Sequence, residues 1–231
     1  MPQFKQDPLP PVNPGERHIP AVILVDNSGS MDGAPIEELN QGLKNFGNAL
    51  LEDSLARGRA EICIISFNSN VRTEMSFRPA ADYVPPVLSA GGLTVLNQAI
   101  INGLDVIEMR KAQYKKKGIS YYRPWLFLLT DGAPTDNEYE ADAKKKLRDA
   151  ISNKKVVYMP MGVGQYADTK KLQEYYPEGT ENKVILRADA NRFKEAFVWL
   201  SSSISMVTRS NPDITDHIEL PPTPNNITVG L

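Results

Sequence analysis

Cysteine occurs once and histidine twice among the 231 residues, which removes two kinds of chemistry at the start. A lone Cys63 can form neither an intramolecular disulfide nor a thiolate zinc cluster, and it fits a reducing, cytoplasmic setting. His18 and His217 lie near the two ends, outside any HExxH or HxE pattern, and read as surface groups. Charge of one sign is also missing. The 26 Lys and Arg against 28 Asp and Glu leave a net charge of −2, so no global field would draw the chain onto nucleic acid or an anionic membrane. Long apolar runs are absent too: Ala21 to Val25 and Trp125 to Leu129 fall far short of the roughly 20 residues that span a bilayer. Met1 to Pro20 holds no apolar signal-peptide core. No GxGxxG follows the first apolar run, which argues against a dinucleotide-binding enzyme. The expectation is a cytoplasmic protein that engages neither nucleic acid nor membrane.

What is present is an ordinary globular composition, with 41% hydrophobic and 23% charged residues, enough for one domain. Six of the 18 prolines fall in the first twenty residues and four more in the last twenty. Proline lacks the donor that regular structure requires, so residues 1–18 and 209–231 read as extended arms around a domain at 19–208; a weak alternation of Ile214, Ile218 and Leu220 offers the alternative that the C-terminal arm adds an edge strand. Within it, Ala21 to Val25, Glu61 to Phe67, Trp125 to Thr130, Val156 to Val163 and Lys183 to Arg187 are short apolar runs without strict alternation, as suits strands buried on both faces. Between them run helical stripes: Ile36, Leu39, Leu43, Phe46 and Leu50, then Leu96, Ile100, Leu104 and Ile107, then Phe193, Phe197, Leu200 and Ile204. Weaker helices are expected at Asn137 to Asn153 and Thr169 to Tyr175. Val71 to Phe77 alternates, which predicts one antiparallel edge strand in a hairpin. The fold class is therefore α/β, a Rossmann-like doubly wound, mostly parallel sheet with helices on both faces.

Ligands of such sheets bind beyond the carboxyl ends of the strands. Three segments meet that rim: Asp26-Asn27-Ser28-Gly29-Ser30 after the first strand, Gly91-Gly92-Leu93-Thr94 entering a helix, and Thr130-Asp131-Gly132 after the central strand. Asp26, Ser28, Ser30, Thr94 and Asp131 supply two carboxylates and three hydroxyls. An all-oxygen, hard set of this kind suits Mg²⁺ or Mn²⁺ and disfavours zinc or copper. Residues two apart in an extended turn project to one side, so Asp26, Ser28 and Ser30 can converge on one ion.

This order of motifs resembles the metal-ion-dependent adhesion site (MIDAS) of von Willebrand factor type A domains, over about Ile19 to Thr208. Ser30 to Ile36, Leu39 to Leu43, Tyr121 to Trp125, Thr130 to Asp136 and Trp199 to Ser201 further resemble the bacterial TerY-like branch associated with tellurium resistance. Where family members often carry Met-Gly after the threonine, this chain has Val95-Leu96-Asn97. The resemblance implies that Ser28 and Ser30 ligate the ion directly and that Asp26 and Asp131 hold it partly through water. Thr94 would bind directly or through water, leaving one position open to a Glu or Asp carboxylate from a partner. It implies a metal-dependent interaction module with no catalytic residues, in a stress-response setting. The partners it suggests are a serine/threonine kinase, a PP2C-type phosphatase or a MoxR-type ATPase.

Several residues have plainer readings. Asp26 and Ser28 could close a polar turn and cap the helix after Pro35. Thr135 and Asp136 read as the N-cap region of the next helix. Arg110, Lys111 and Lys115 to Lys117 read as a solvated helix end complementing the dipole. Tyr121, Tyr122 and Trp125 read as packing over the sheet edge, and Cys63 as a buried apolar residue. The alternative function is a HAD-like, metal-dependent phosphohydrolase with Asp26 as nucleophile. Such enzymes need a second Asp two residues on, where this chain has Ser28.

Overall fold

The computed structural model describes residues 15–164, 167–180, 185–188, 193–210, 221–222 and 228–230. The apolar run after Ile19 becomes strand β1 (Ile19–Asp26), every residue of which is buried. A helical stripe folds back as α1 (Ala34–Glu52), short α2 (Ser54–Arg59) follows, and β2 (Ala60–Phe67) lies parallel to β1. Then come β3 (Val71–Pro79), α3 (Leu96–Lys117), β4 (Trp125–Thr130), α4 (Glu140–Ser152), β5 (Val157–Val163) and α5 (Thr169–Gln173). The last elements are β6 (Ile185–Ala188), α6 (Phe193–Arg209) and β7 (Thr228–Gly230).

The sheet has the order β3-β2-β1-β4-β5-β6-β7. Its five inner strands are parallel, and β3 and β7 run antiparallel on the two edges. From β1 the chain builds outward through β2, then crosses to β4 and builds the other way, so the loops after β1 and β4 part and leave a crevice. Both faces are apolar. Ile19, Ala21, Ile23 and Val25 face a layer holding Leu39, Leu43, Phe46, Phe197 and Leu200 of α1 and α6. Val22 and Leu24 face Leu96, Ile100 and Leu104 of α3 and Leu147 of α4. At Gly103, α3 comes so close that an added Cβ would stand 2.9 Å from Leu126 Cδ1 and 3.2 Å from Leu24 Cδ2. Helix α3 ends on Gly118 at φ 65°, whose amide donates to the Tyr114 and Lys115 carbonyls.

Several expectations are corrected. His18 is fully buried, with Nδ1 3.6 Å from Glu61 Oε1, and its backbone bridges to Tyr121. Arg110 is no solvated helix end: only 3% exposed, it donates through Nε to Glu61 Oε2 at 2.7 Å and pairs with the same carboxylate through Nη2. Lys111 is buried as well, while Lys115 to Lys117 are exposed. The C-terminal stretch contributes a second antiparallel edge, Thr228–Gly230 pairing with Ile185–Arg187, from residues beyond the alternating ones that suggested such a strand. Pro221 also accepts from Trp199 Nε1 at 2.9 Å. The prolines of that stretch stop at 224, and a β-branched Ile-Thr-Val run follows them. Helix α2 had no sequence counterpart. His217, the alternating Ile214, Ile218 and Leu220, and residues 1–14 lie outside the described residues. Cys63 is fully buried in β2. No helix among the described residues is long and apolar enough to cross a membrane.

Candidate metal centre

The register that sets Val25 beside Leu129 puts the next pair, Asp26 and Thr130, side by side at the crevice. Asp26 is wholly buried. Its Oδ1 accepts from the Ser28 amide at 2.8 Å and its Oδ2 from Thr130 Oγ1 at 2.5 Å. Burial pushes its carboxyl up to about 6, against the opposing pull of the Ser28 and Thr130 hydrogen bonds. The turn after it carries Ser28 Oγ to 3.0 Å from Ser30 Oγ, and Ser30 Oγ donates to Asp131 Oδ1 at 2.8 Å. Burial also raises the Asp131 carboxyl, an effect the Ser30 hydrogen bond opposes.

Thr94 arrives on a different loop. Its amide donates to Thr135 Oγ1 at 3.1 Å and its carbonyl accepts from the Thr135 amide at 2.9 Å, a two-way clasp between the second and third segments. Gly132 keeps the space between them open, since a Cβ there would stand 3.7 Å from Ser30 Oγ and 3.8 Å from Thr94 Oγ1. The first and second segments also touch: the Gly29 amide donates to the Gly92 carbonyl at 3.0 Å, and Gly92 turns at φ +83°, where a side chain would be strained. The structure thus brings Asp26, Ser28, Ser30 and Asp131 into one hydrogen-bonded chain, with Thr94 at its edge.

Neither Asp26 nor Ser28 caps α1, whose N-cap is Gly33; Ser28 stands at the N-cap position of the single 3-10 turn Gly29–Met31, where its side chain makes no capping bond. Asp136 stands at the N-cap position of the 3-10 turn Asn137–Tyr139 that leads into α4, as expected, but its side chain makes no bond there; the Thr135 and Asp136 side chains serve the start of α3 instead. Asp136 Oδ1 accepts from the Asn97 amide at 3.2 Å and Oδ2 from the Gln98 amide at 2.9 Å. This supplies the first turn with acceptors that its own N-cap, Val95, lacks. Asn97, where the chain departs from the family's Met-Gly, is fully buried; it donates to Asp136 and accepts from Tyr175 OH at 2.5 Å. Sequence reasoning gave Thr130 and Asn97 no role. Thr130 sits within the Thr-Asp-Gly motif and was the more findable of the two.

Neither Asp26 nor Asp131 is ion-paired among the described residues. Two carboxylates and three hydroxyls make up the set, and no group of three or more His, Cys, Asp or Glu placed to hold a metal ion occurs among the described residues. A buried carboxylate with only neutral donors lacks a compensating positive charge, and an oxygen set of this size could hold a hard divalent cation.

Fold and rim together define a doubly wound α/β domain with a crevice at the parting of β1 and β4. The model of the von Willebrand factor type A domain matches residues 21–197, and the chain belongs to that family. Domains of this family are commonly protein-interaction modules rather than enzymes. Similar solved structures include the ArnB paralog VWA2 from Sulfolobus acidocaldarius, at 20% identity and a TM-score of 0.55 over 81% of this chain and 45% of that one. A von Willebrand factor type A protein from Catenulispora acidiphila gives 15% and 0.58, over 83% and 43%. Proximal thread matrix protein 1 from the mussel byssus, in a form with a zinc-occupied MIDAS motif, gives 14% and 0.51, over 80% and 48%. The chain spans less than half the length of each, and these likenesses are of fold. The comparison with curated proteins gives no match.

Proposed function

We propose that the domain is a metal-dependent docking module, and that Asp26, Ser28, Ser30, Thr94 and Asp131 hold a Mg²⁺ or Mn²⁺ ion as a MIDAS. The observation that carries this reading is the hydroxyl chain Ser28–Ser30–Asp131 beside a buried Asp26 that pairs with no cation among the described residues. When bound, the dication offers an electrophilic position to an anionic oxygen, since neutral hydroxyl ligands leave much of its charge unquenched. Asp26 is held by Thr130 and the Ser28 amide, and the Thr94–Thr135 clasp orients the third hydroxyl. A Glu or Asp carboxylate from a protein partner is the natural anion for that position. On the TerY-like resemblance of the motifs, we propose a cytoplasmic module of a stress-response or tellurium-resistance system, with a serine/threonine kinase, a PP2C-type phosphatase or a MoxR-type ATPase as partner. The phosphohydrolase alternative gains nothing from the geometry: Ser28, in the acid/base position, hydrogen-bonds Ser30.

Calorimetry with Mn²⁺ tests the site. Wild type should bind one ion, and Asp26→Ala and Asp131→Ala should weaken binding at least tenfold while keeping the circular dichroism of the folded domain. Absence of Mn²⁺ binding at millimolar metal overturns the assignment. A partner captured from the native host should be released by EDTA and recaptured with Mg²⁺.

A further inference from the structure

Next to the Thr94–Thr135 clasp, a buried polar cluster joins the start of α3, the loop after β4 and the segment after α5. Its members are Asn97, Asp136 and Tyr175, none more than 3% exposed. Tyr175 OH donates to Asn97 Oδ1 at 2.5 Å, across 78 residues of sequence. With that oxygen occupied, Asn97 Nδ2 turns to Asp136 and donates to its carbonyl and to its Oδ1, at 3.1 Å each. Thr135 and Asp136 are consecutive, so the tie to Asn97 continues directly into the clasp that holds Thr94. Tyr175 is fixed in its turn from α4. Arg148 Nη2 donates to the Glu174 carbonyl at 2.6 Å, and Glu174 Oε2 pairs with Lys144 at 2.6 Å. Burial first, then the charges of Glu140, Asp136 and Glu174, raises the Tyr175 hydroxyl above its ordinary value. It therefore keeps its proton and remains a donor.

We infer that Tyr175 is a positioning residue of the metal centre: by orienting Asn97 it fixes Asp136 and Thr135, and so sets where Thr94 presents its hydroxyl. The inference rests on the docking reading above for what Thr94 ligates, while the hold of Tyr175 on Thr94 can be tested without metal. An oxygen ligand of Mg²⁺ has little tolerance, since the ion demands near-ideal octahedral geometry at about 2.0–2.1 Å. Thr94 is the candidate that most needs such support. Asp26, Ser28 and Ser30 share one turn, and Asp131 is tied to Ser30 at 2.8 Å, whereas Thr94 arrives on another loop and is clasped through its backbone to Thr135. Hydrogen-bonded partners behind a ligand fix its orientation, and in a dry interior each link holds the next. Without the phenol, Asn97 Oδ1 loses the donor that turns Nδ2 toward Asp136. The buried amide must then rotate or admit water, and its grip on the loop after β4 loosens.

Tyr175→Phe removes one oxygen and keeps the ring packed. Its control is Tyr176→Phe, which deletes the neighbouring buried hydroxyl, a donor to the Tyr158 carbonyl of β5 at 2.9 Å. Both are compared with wild type, as full chains, by amide hydrogen exchange in EDTA read by NMR and by calorimetry with Mn²⁺. Exchange rates are taken relative to those of β1 amides, so that a general loss of stability cancels. In Tyr175→Phe the Thr94 amide should exchange about tenfold faster, the effect of one lost buried hydrogen bond, and Mn²⁺ binding should weaken severalfold. Tyr176→Phe should leave both as in wild type. Unchanged exchange at Thr94, an equal effect of Tyr176→Phe, or an unchanged Mn²⁺ affinity where wild type binds the ion overturns the proposal. Wild type that binds no Mn²⁺ overturns the metal reading instead, and exchange in EDTA then decides alone whether Tyr175 positions Thr94.

Discussion

Thr130 does at the scale of one residue what a basic side chain does for many buried carboxylates: it satisfies Asp26 from the neighbouring strand at 2.5 Å. Thr130→Val keeps the shape and removes the donor, so a buried carboxylate oxygen loses its partner. Urea denaturation should show a loss of about 1–3 kcal/mol, with Thr130→Ser restoring most of it; a valine variant as stable as wild type would deny the threonine this role. The ligand candidates themselves were legible because their spacing is local: Asp26, Ser28 and Ser30 lie two apart in one turn. Thr130 was less so, since its role depends on the β1–β4 register that only the folded sheet defines. Tyr175 read only as the end of a short helix for a similar reason. Its partner, Asn97, lies 78 residues away.

At the scale of elements, five parallel strands and the long helices follow from apolar runs and three-four periodicity, and they stand where those patterns put them. Of the short pieces, α5 falls within its expected span Thr169 to Tyr175, while α2 was hidden. Helix α2 has six residues and starts at Asp53, whose Oδ1 accepts from the Leu55 and Ala56 amides at 3.0 Å each, while Oδ2 accepts from Arg209 at 2.5 Å. Burial opposes ionisation there, but the Ala56 amide, the Ser205 hydroxyl, Arg209 and the Leu55 amide together hold the carboxyl below its ordinary value. A carboxylate whose folded value is lowered stabilises the fold above its unfolded value near 4 and ceases to do so as pH falls through the folded one. Asp53→Ala should therefore cost about 0.5–2 kcal/mol at pH 7. Chemical denaturation at a series of pH values should show the gap closing below pH ~4; a gap that persists in acid would assign the loss to packing. Asp136 makes the same point across a greater distance, capping α3 from 38 and 39 residues away, where local sequence rules look only to the helix that follows.

On the scale of the whole molecule, the charge set apart from the crevice is Glu61 with Arg110, at the amino end of β2. Arg110→Met leaves Glu61 buried without its guanidinium partner, a loss of about 3–5 kcal/mol. The double variant Glu61→Leu, Arg110→Met should recover much of it in the same melt, and no recovery would show that Arg110 contributes chiefly through its packing over Phe77 and Tyr114. Composition could not reveal this pair, because 49 residues separate its members and each alone reads as ordinary surface charge. Sequence distance has a further consequence at the crevice. Ser30 and Asp131 are 101 residues apart and Asp26 and Thr130 are 104 apart, so closing these contacts requires β1 and β4 to have met, and long loops must be ordered before any contact compensates them. The rim is consequently expected to form late in refolding. A metal-sensitive probe placed there would report completion of the domain, lagging behind signals from helices such as α1 that need only their own neighbours.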